Sequence, residues 1–158
     1  MAEFELVGME SLLAKFDSIK QDVKYKGGRS ALRKAANFIA AKAKENAQKL
    51  DDPETAKNTA KNISVRWGGK RFKSTGDPNF RIGILGGAGG NKKAADLDSL
   101  PGKDTRTWRH LELGTEKTPA QPFLRPSLQN NTGEAISIFA KEYERAIDRA
   151  IKKAAKGK

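Results

Sequence analysis

The chain has 158 residues, with 31 Lys and Arg against 19 Asp and Glu, a formal net charge of +12 and a sequence pI of about 10.0. It holds no Cys and a single His, His110, which excludes disulfide scaffolds, thiolate metal centres, cysteine nucleophiles and histidine metal clusters. With 37% apolar, 7% aromatic and 32% charged residues, it reads as one surface-rich domain rather than an enzyme built around a deep pocket.

Met1-Ala2-Glu3-Phe4-Glu5-Leu6 lacks the basic and apolar regions of a secretory signal, and no run approaches the roughly 20 apolar residues that span a bilayer. The expectation is a soluble, intracellular product with no membrane partner. Positive charge is distributed along the chain. Residues 27–50 and 61–82 each carry six Lys or Arg and one acid, residues 141–158 seven bases and three acids, and residues 1–26 four bases and five acids. Such a surface is either simply solvated or faces an anionic partner, whether nucleic acid, an anionic membrane or an acidic protein.

In chain order, Met9, Leu12, Leu13, Phe16, Ile19 and Val23 recur at spacings of three and four and predict a helix over 8–24, broken by Gly27-Gly28. A second helix over 29–50 carries Leu32, Ala35, Ile39, Ala43, Ala47 and Leu50 on one stripe. Its small residues admit a close neighbour. Asp51-Asp52-Pro53-Glu54 reads as the start of a short helix running to about Ala60. The period then falls to 2: Ile63, Val65 and Trp67, and later Phe80, Ile82 and Ile84, alternate with polar residues or glycine and predict two strands with apolar faces. Residues 68–79 between them predict a long exposed hairpin loop, and 86–105, rich in Gly, a long loop that is functional or mobile. Residues 108–113 read as a third strand. Pro119, Pro122 and Pro126 then bracket a rigid, extended connection over 116–130. A long amphipathic helix over 131–156 closes the chain, with Asn131 and Glu134 as a capping-box variant and Lys152, Lys153 and Lys156 complementing its dipole. The class is α+β: a helical pair over 1–50, a small antiparallel sheet of three to four strands over 61–115 and the C-terminal helix, in a single domain 1–158.

Chemistry is hard to find. The glycines after residue 85 match neither the P-loop nor the dinucleotide spacing. In a strand His110 and Glu112 would share a face, but no serine stands on a nucleophile-elbow pattern, so His110 reads as structural or solvent-facing. No catalytic, cofactor or metal residues are assigned. Trp67, Phe72 and Phe80 interleave with cations, yet the alternation places Trp67 and Phe80 in the core. Arg66, Lys70, Arg71, Lys73, Lys92 and Lys93 remain as candidate contacts to DNA phosphates or an acidic partner.

The stretch Leu111-Glu112-Leu113-Gly114-Thr115, a short gap, then Pro119-Ala120-Gln121-Pro122-Phe123-Leu124-Arg125-Pro126 resembles the signature of a tail-component family of lambdoid long-tailed bacteriophages (siphoviruses), neck or tail-completion proteins. The order of elements is similar over nearly the whole chain. The residues have a physical reading of their own: Gly114 ends its element at positive φ, Thr115 bonds back to the turn, and Phe123 plugs the domain's own core in preference to a partner. Arg125 pairs either with Glu112 or with a neighbouring subunit.

The resemblance implies a non-enzymatic structural virion protein that completes the tail and joins head to tail. It would assemble as a ring, sixfold rather than twelvefold, around the DNA channel. Its partners would be the head–tail connector or adaptor and the tail terminator or tail tube, with non-specific contact to channel DNA, and it would pass through the host cytoplasm before assembly. The loops 68–79 and 86–105 would be docking arms. The alternative is a small basic phage protein that binds nucleic acid non-specifically.

Overall fold

A computed structural model describes residues 22–51, 57–87 and 93–156, with 17 and 20 besides. Most of the helix expected over 8–24, residues 52–56 of the expected short helix, and Lys92 lie outside the described residues.

The centre of the molecule is α1 (Gly28–Gln48), which buries Ala31, Ala35, Ile39, Ala40, Ala43 and Ala47. A helix that buries alanine lets neighbours come close on several sides. The C-terminal helix α7 (Thr132–Ala155), the short α6 (Leu124–Gln129) and a hairpin of β1 (Ile63–Trp67) and β2 (Phe80–Ile84) all pack on it. The core joins Ala40, Ala43, Ala47, Ala60, Ile63, Ile84 and Phe123, with Val65, Ile82, Trp108, Leu111 and Leu124 closing over it. The chain is α+β, and its sheet has two antiparallel strands rather than three or four.

Gly27-Gly28 does not interrupt the helical path over the described residues. A π-helical turn, Asp22–Gly27, runs straight into α1 with Gly27 at right-handed helical angles. Both glycines are buried, and a Cβ on Gly28 would lie 3.7 Å from the Tyr143 ring of α7. Their role is close packing rather than a turn. Asp51 does cap a helix, but a later one. Its carboxylate accepts from Thr59 N (2.9 Å) and Ala60 N (3.2 Å) at the start of α2 (Thr59–Asn62), where Asn58 Oδ1 also accepts from Lys61 N.

Five further expectations are corrected. The hairpin connection 68–79 folds into α3 (Gly69–Thr75), ended by Gly76 at φ 73° with its N–H on Phe72 O. The 86–105 stretch contains α4 (Ala94–Asp98), and its second half is docked rather than mobile: Leu97 is fully buried, and Gly102 and Thr105 are buried beside it. Asn62, itself fully buried, accepts from Gly102 N (2.8 Å) and donates to Lys103 O and Thr105 Oγ1 (2.8 Å each). The chain passes so close that a Cβ on Gly102 would stand 1.9 Å from Asn58 O, so only glycine fits.

Residues 108–113 form α5 (Trp108–Leu113), not a strand. Six residues are too few for either period to decide. As a helix they set Trp108, Leu111 and Glu112 on one inward side and leave Leu113 in solvent, 65% exposed. The connection 116–130 is likewise only partly extended, since α6 fills its second half. Asn131 precedes α7 but forms no capping box; its amide donates back to Ser127 O at 2.9 Å.

Candidate functional site

The sequence motif assembles into one intramolecular latch. Gly114 turns the chain at φ 76° and ψ 176°, where a Cβ would stand 2.8 Å from Ala120 N. Thr115 then organises the loop: its Oγ1 accepts from Lys117 N and Thr118 N, and its own N–H donates to Thr118 O. Gln121 N donates to Leu111 O at 2.7 Å, which brings Pro122 and Phe123 back over α5.

Glu112, 4% exposed, is thereby aimed at the N-terminus of α6. Its carboxylate accepts from the backbone N–H of Phe123 (2.8 Å), Leu124 (2.9 Å) and Arg125 (3.0 Å). Arg125 adds its Nε to Oε1 (3.2 Å) and its second guanidinium nitrogen to the Glu112 carbonyl (2.6 Å). A helix start exposes up to four orphan N–H groups; here three meet one carboxylate, and Pro126 in the first turn has none to offer. Burial alone would raise the Glu112 carboxyl, but the three amide donors and Arg125 outweigh it and hold the group below the ordinary carboxylate range. Phe123 is fully buried beneath the latch, and its carbonyl accepts from Asn46 of α1. Of the two partners open to Arg125, the structure selects Glu112, and Phe123 serves the domain's own core.

The arrangement suits positioning rather than chemistry. His110 is exposed on the outer side of α5, away from the inward face that carries Glu112. Among the described residues no group of His, Asp and Glu could hold a metal ion, and no helix is long and apolar enough to cross a membrane.

The basic candidates are divided. Arg66 lies exposed on β1 and Lys70, Arg71 and Lys73 exposed on α3, so these four belong to one hairpin unit. Lys93 is exposed on a different element, just before α4. The sheet register adds a residue that was not among the candidates. Arg81 stands directly opposite Arg66, and both are exposed with no ion pair among the described residues. Period-2 alternation in both strands puts the two arginines on the outer face; their pairing needs the register. On the inner side Trp67 packs between Phe72 and Phe80 (ring centroids 5.1 Å from each), with the Arg29 guanidinium 4.3 Å from its ring.

Residues 10–114 match the family model described as "Bacteriophage HK97-gp10, putative tail-component". The chain belongs to this family of bacteriophage tail components. No curated protein and no solved structure matches significantly. The family match ends at Gly114, within the motif: Glu112 lies inside it, while Phe123, Leu124 and Arg125, which Glu112 holds, lie beyond. A tail component is a virion protein of structural type, and the latch suits that role, because it fixes a backbone path and exposes no reactive group.

Proposed function

We propose that this tail component completes the tail at the virion neck, joining head to tail by assembling as a ring around the DNA channel. Sixfold symmetry is the preferred order, with the connector or adaptor on one side and the tail terminator or tube on the other. The observation that carries this reading is the match to bacteriophage tail components over residues 10–114, and four large apolar side chains remain for neighbours to cover. Leu113, Leu128, Ile136 and Ile151 are 65%, 54%, 61% and 54% exposed, on three different helices. Burying them would fall to neighbouring subunits, and a closed ring meets each subunit through two different faces. The net charge of +12 is compatible with a position around packaged DNA.

The docking-arm role expected for 86–105 does not extend to 93–105, where Leu97 is buried and Gly102, Lys103 and Thr105 are bonded to Asn62 of α2; truncating them would remove core. The test is electron microscopy of a lysate from phage carrying a nonsense mutation in this gene. DNA-filled heads beside separate or aberrant tails are expected. Normally joined particles would overturn the reading.

A further inference from the structure

The β hairpin is built to take a third strand. Leu85 N donates to Asn62 O and Gly68 N to Asn79 O, so the bonded pairs run Asn62–Leu85, Ser64–Gly83, Arg66–Arg81 and Gly68–Asn79. The intervening residues aim their backbone groups outward. On the β2 edge, the N–H and C=O of Phe80 and Ile82 have no partner among the described residues. An isolated two-stranded hairpin is marginal, and an open edge is a template for an extended segment.

The side chains beside this edge specify what should come. On the outer face, Arg66 and Arg81 flank a shallow cleft of about 310 Å³ floored by Ser64 and Gly83, with no acid to balance them. On the inner face, Ile82 faces α6 across an apolar groove of about 230 Å³, lined by Ile39, Leu124 and Leu128. The complementary strand alternates acids with large apolar residues. This chain has such a segment at its start, Glu3-Phe4-Glu5-Leu6, within ten residues that hold three acids and no base. It lies before the family match and outside the described residues. The similar alternation Asp96-Leu97-Asp98 is already committed to α4, with Leu97 buried.

We infer that residues 2–7 of one copy add as a strand to the β2 edge of the next. Glu3 and Glu5 then lie on the Arg81 and Arg66 face, and Phe4 and Leu6 enter the groove beside Ile82. The helical period of 8–24 leads into the turn where the Tyr25 ring meets Phe72 at 5.7 Å. Were 8–24 helical as the sequence period predicts, 1.5 Å per residue would set residue 7 about 27 Å along the axis from Tyr25, a span that favours a neighbour over its own hairpin. Head-to-tail strand donation is a heterologous contact, the kind that closes a ring where the rotation between neighbours allows. The inference rests on the ring reading and names the contact within it.

The absence of native cysteine makes a direct test simple. Glu5→Cys and Arg81→Cys chains are mixed and mildly oxidised, with Glu5→Cys plus Glu144→Cys as control. A mixed disulfide in the first pair alone is expected. In parallel, Glu3→Lys/Glu5→Lys should raise the dissociation constant of self-association about tenfold or more, and Arg66→Glu/Arg81→Glu on the same chain should restore it. Oligomers that form without the 5–81 disulfide would overturn strand donation and leave the ring standing. A disulfide found only within the E5C/R81C double-variant chain would overturn the exchange between copies. Loss of DNA retention by Arg66→Glu/Arg81→Glu with unchanged oligomer size would assign the arginines to nucleic acid and overturn the proposal too. Should the lysate particles join normally while the 5–81 disulfide forms, the neck assignment falls and the strand contact survives.

Discussion

The Glu112 latch and the outer face of the hairpin handle charge in opposite ways. At the latch a buried carboxylate is met by three backbone amides and one guanidinium, all supplied by the next turn of chain. On the hairpin two arginines stand opposite each other across paired strands with no acid between them. Buried charge survives only when its partners are complete, whereas exposed charge is tolerated unpaired because water screens it. The latch thus belongs to the stability of the subunit, and the hairpin face remains available to something outside it.

The sharpest way to break this contrast is Glu112→Ala, which leaves three amides and Arg125 without their acceptor. Removing one side of a buried charged network costs about 3–5 kcal/mol, and urea denaturation should show a loss of that order. Asn62→Ala offers the same experiment with a neutral group. It orphans Gly102 N and Thr105 Oγ1, and a cost of about 2–3 kcal/mol is expected by the same denaturation. A gentler probe is acid titration of stability. The Glu112 carboxyl is lowered in the fold, so the unfolded chain binds the proton first. The stabilisation is complete above the ordinary Glu value of about 4.3 and is lost as pH falls through the lower folded value. Glu112→Gln should flatten that limb in part, leaving the slope due to Asp104, lowered by Arg106, and to Glu142, lowered by Lys34. The smallest effect is predicted on the hairpin. Arg66→Thr removes a like-charge cross-strand pair and should leave the isolated chain unchanged or more stable by about 0.2–1 kcal/mol, measurable as a small rise in Tm. A large destabilisation there would show that the two arginines are already compensated.

How far the fold could be read in advance depended on where the deciding contacts lie. The alanine stripe of α1, the alternation of β1 and β2 and the long period of α7 are local signals repeated over many residues, and these elements stand where they were expected. The elements α3, α4 and α5, of seven, five and six residues, are too short for a period to emerge. They are fixed by contacts outside their own span: Phe72 by Tyr25 and Trp67, Leu97 by burial, Glu112 by the start of α6. At the latch, the turn roles of Gly114 and Thr115 and the burial of Phe123 followed from residue type. The role of Glu112 as the cap of a helix eleven residues on did not, because capping residues ordinarily sit beside the helix they serve. On the hairpin, Arg81 became a partner of Arg66 only once the register was known.

A carboxylate has about four lone-pair sites, and Glu112 fills them two by two: Oε2 with Phe123 N and Leu124 N, Oε1 with Arg125 N and Arg125 Nε. Its valence toward the outside is therefore closed. A proline at 126 keeps the count even, since a fourth amide at the helix start would arrive with no acceptor left. The acid at the heart of the motif can take neither a proton from a substrate nor a place around a cation without first unfastening α6. Whatever touches this corner of the subunit meets the outer edge of the Arg125 guanidinium and the backbone path, not the carboxylate.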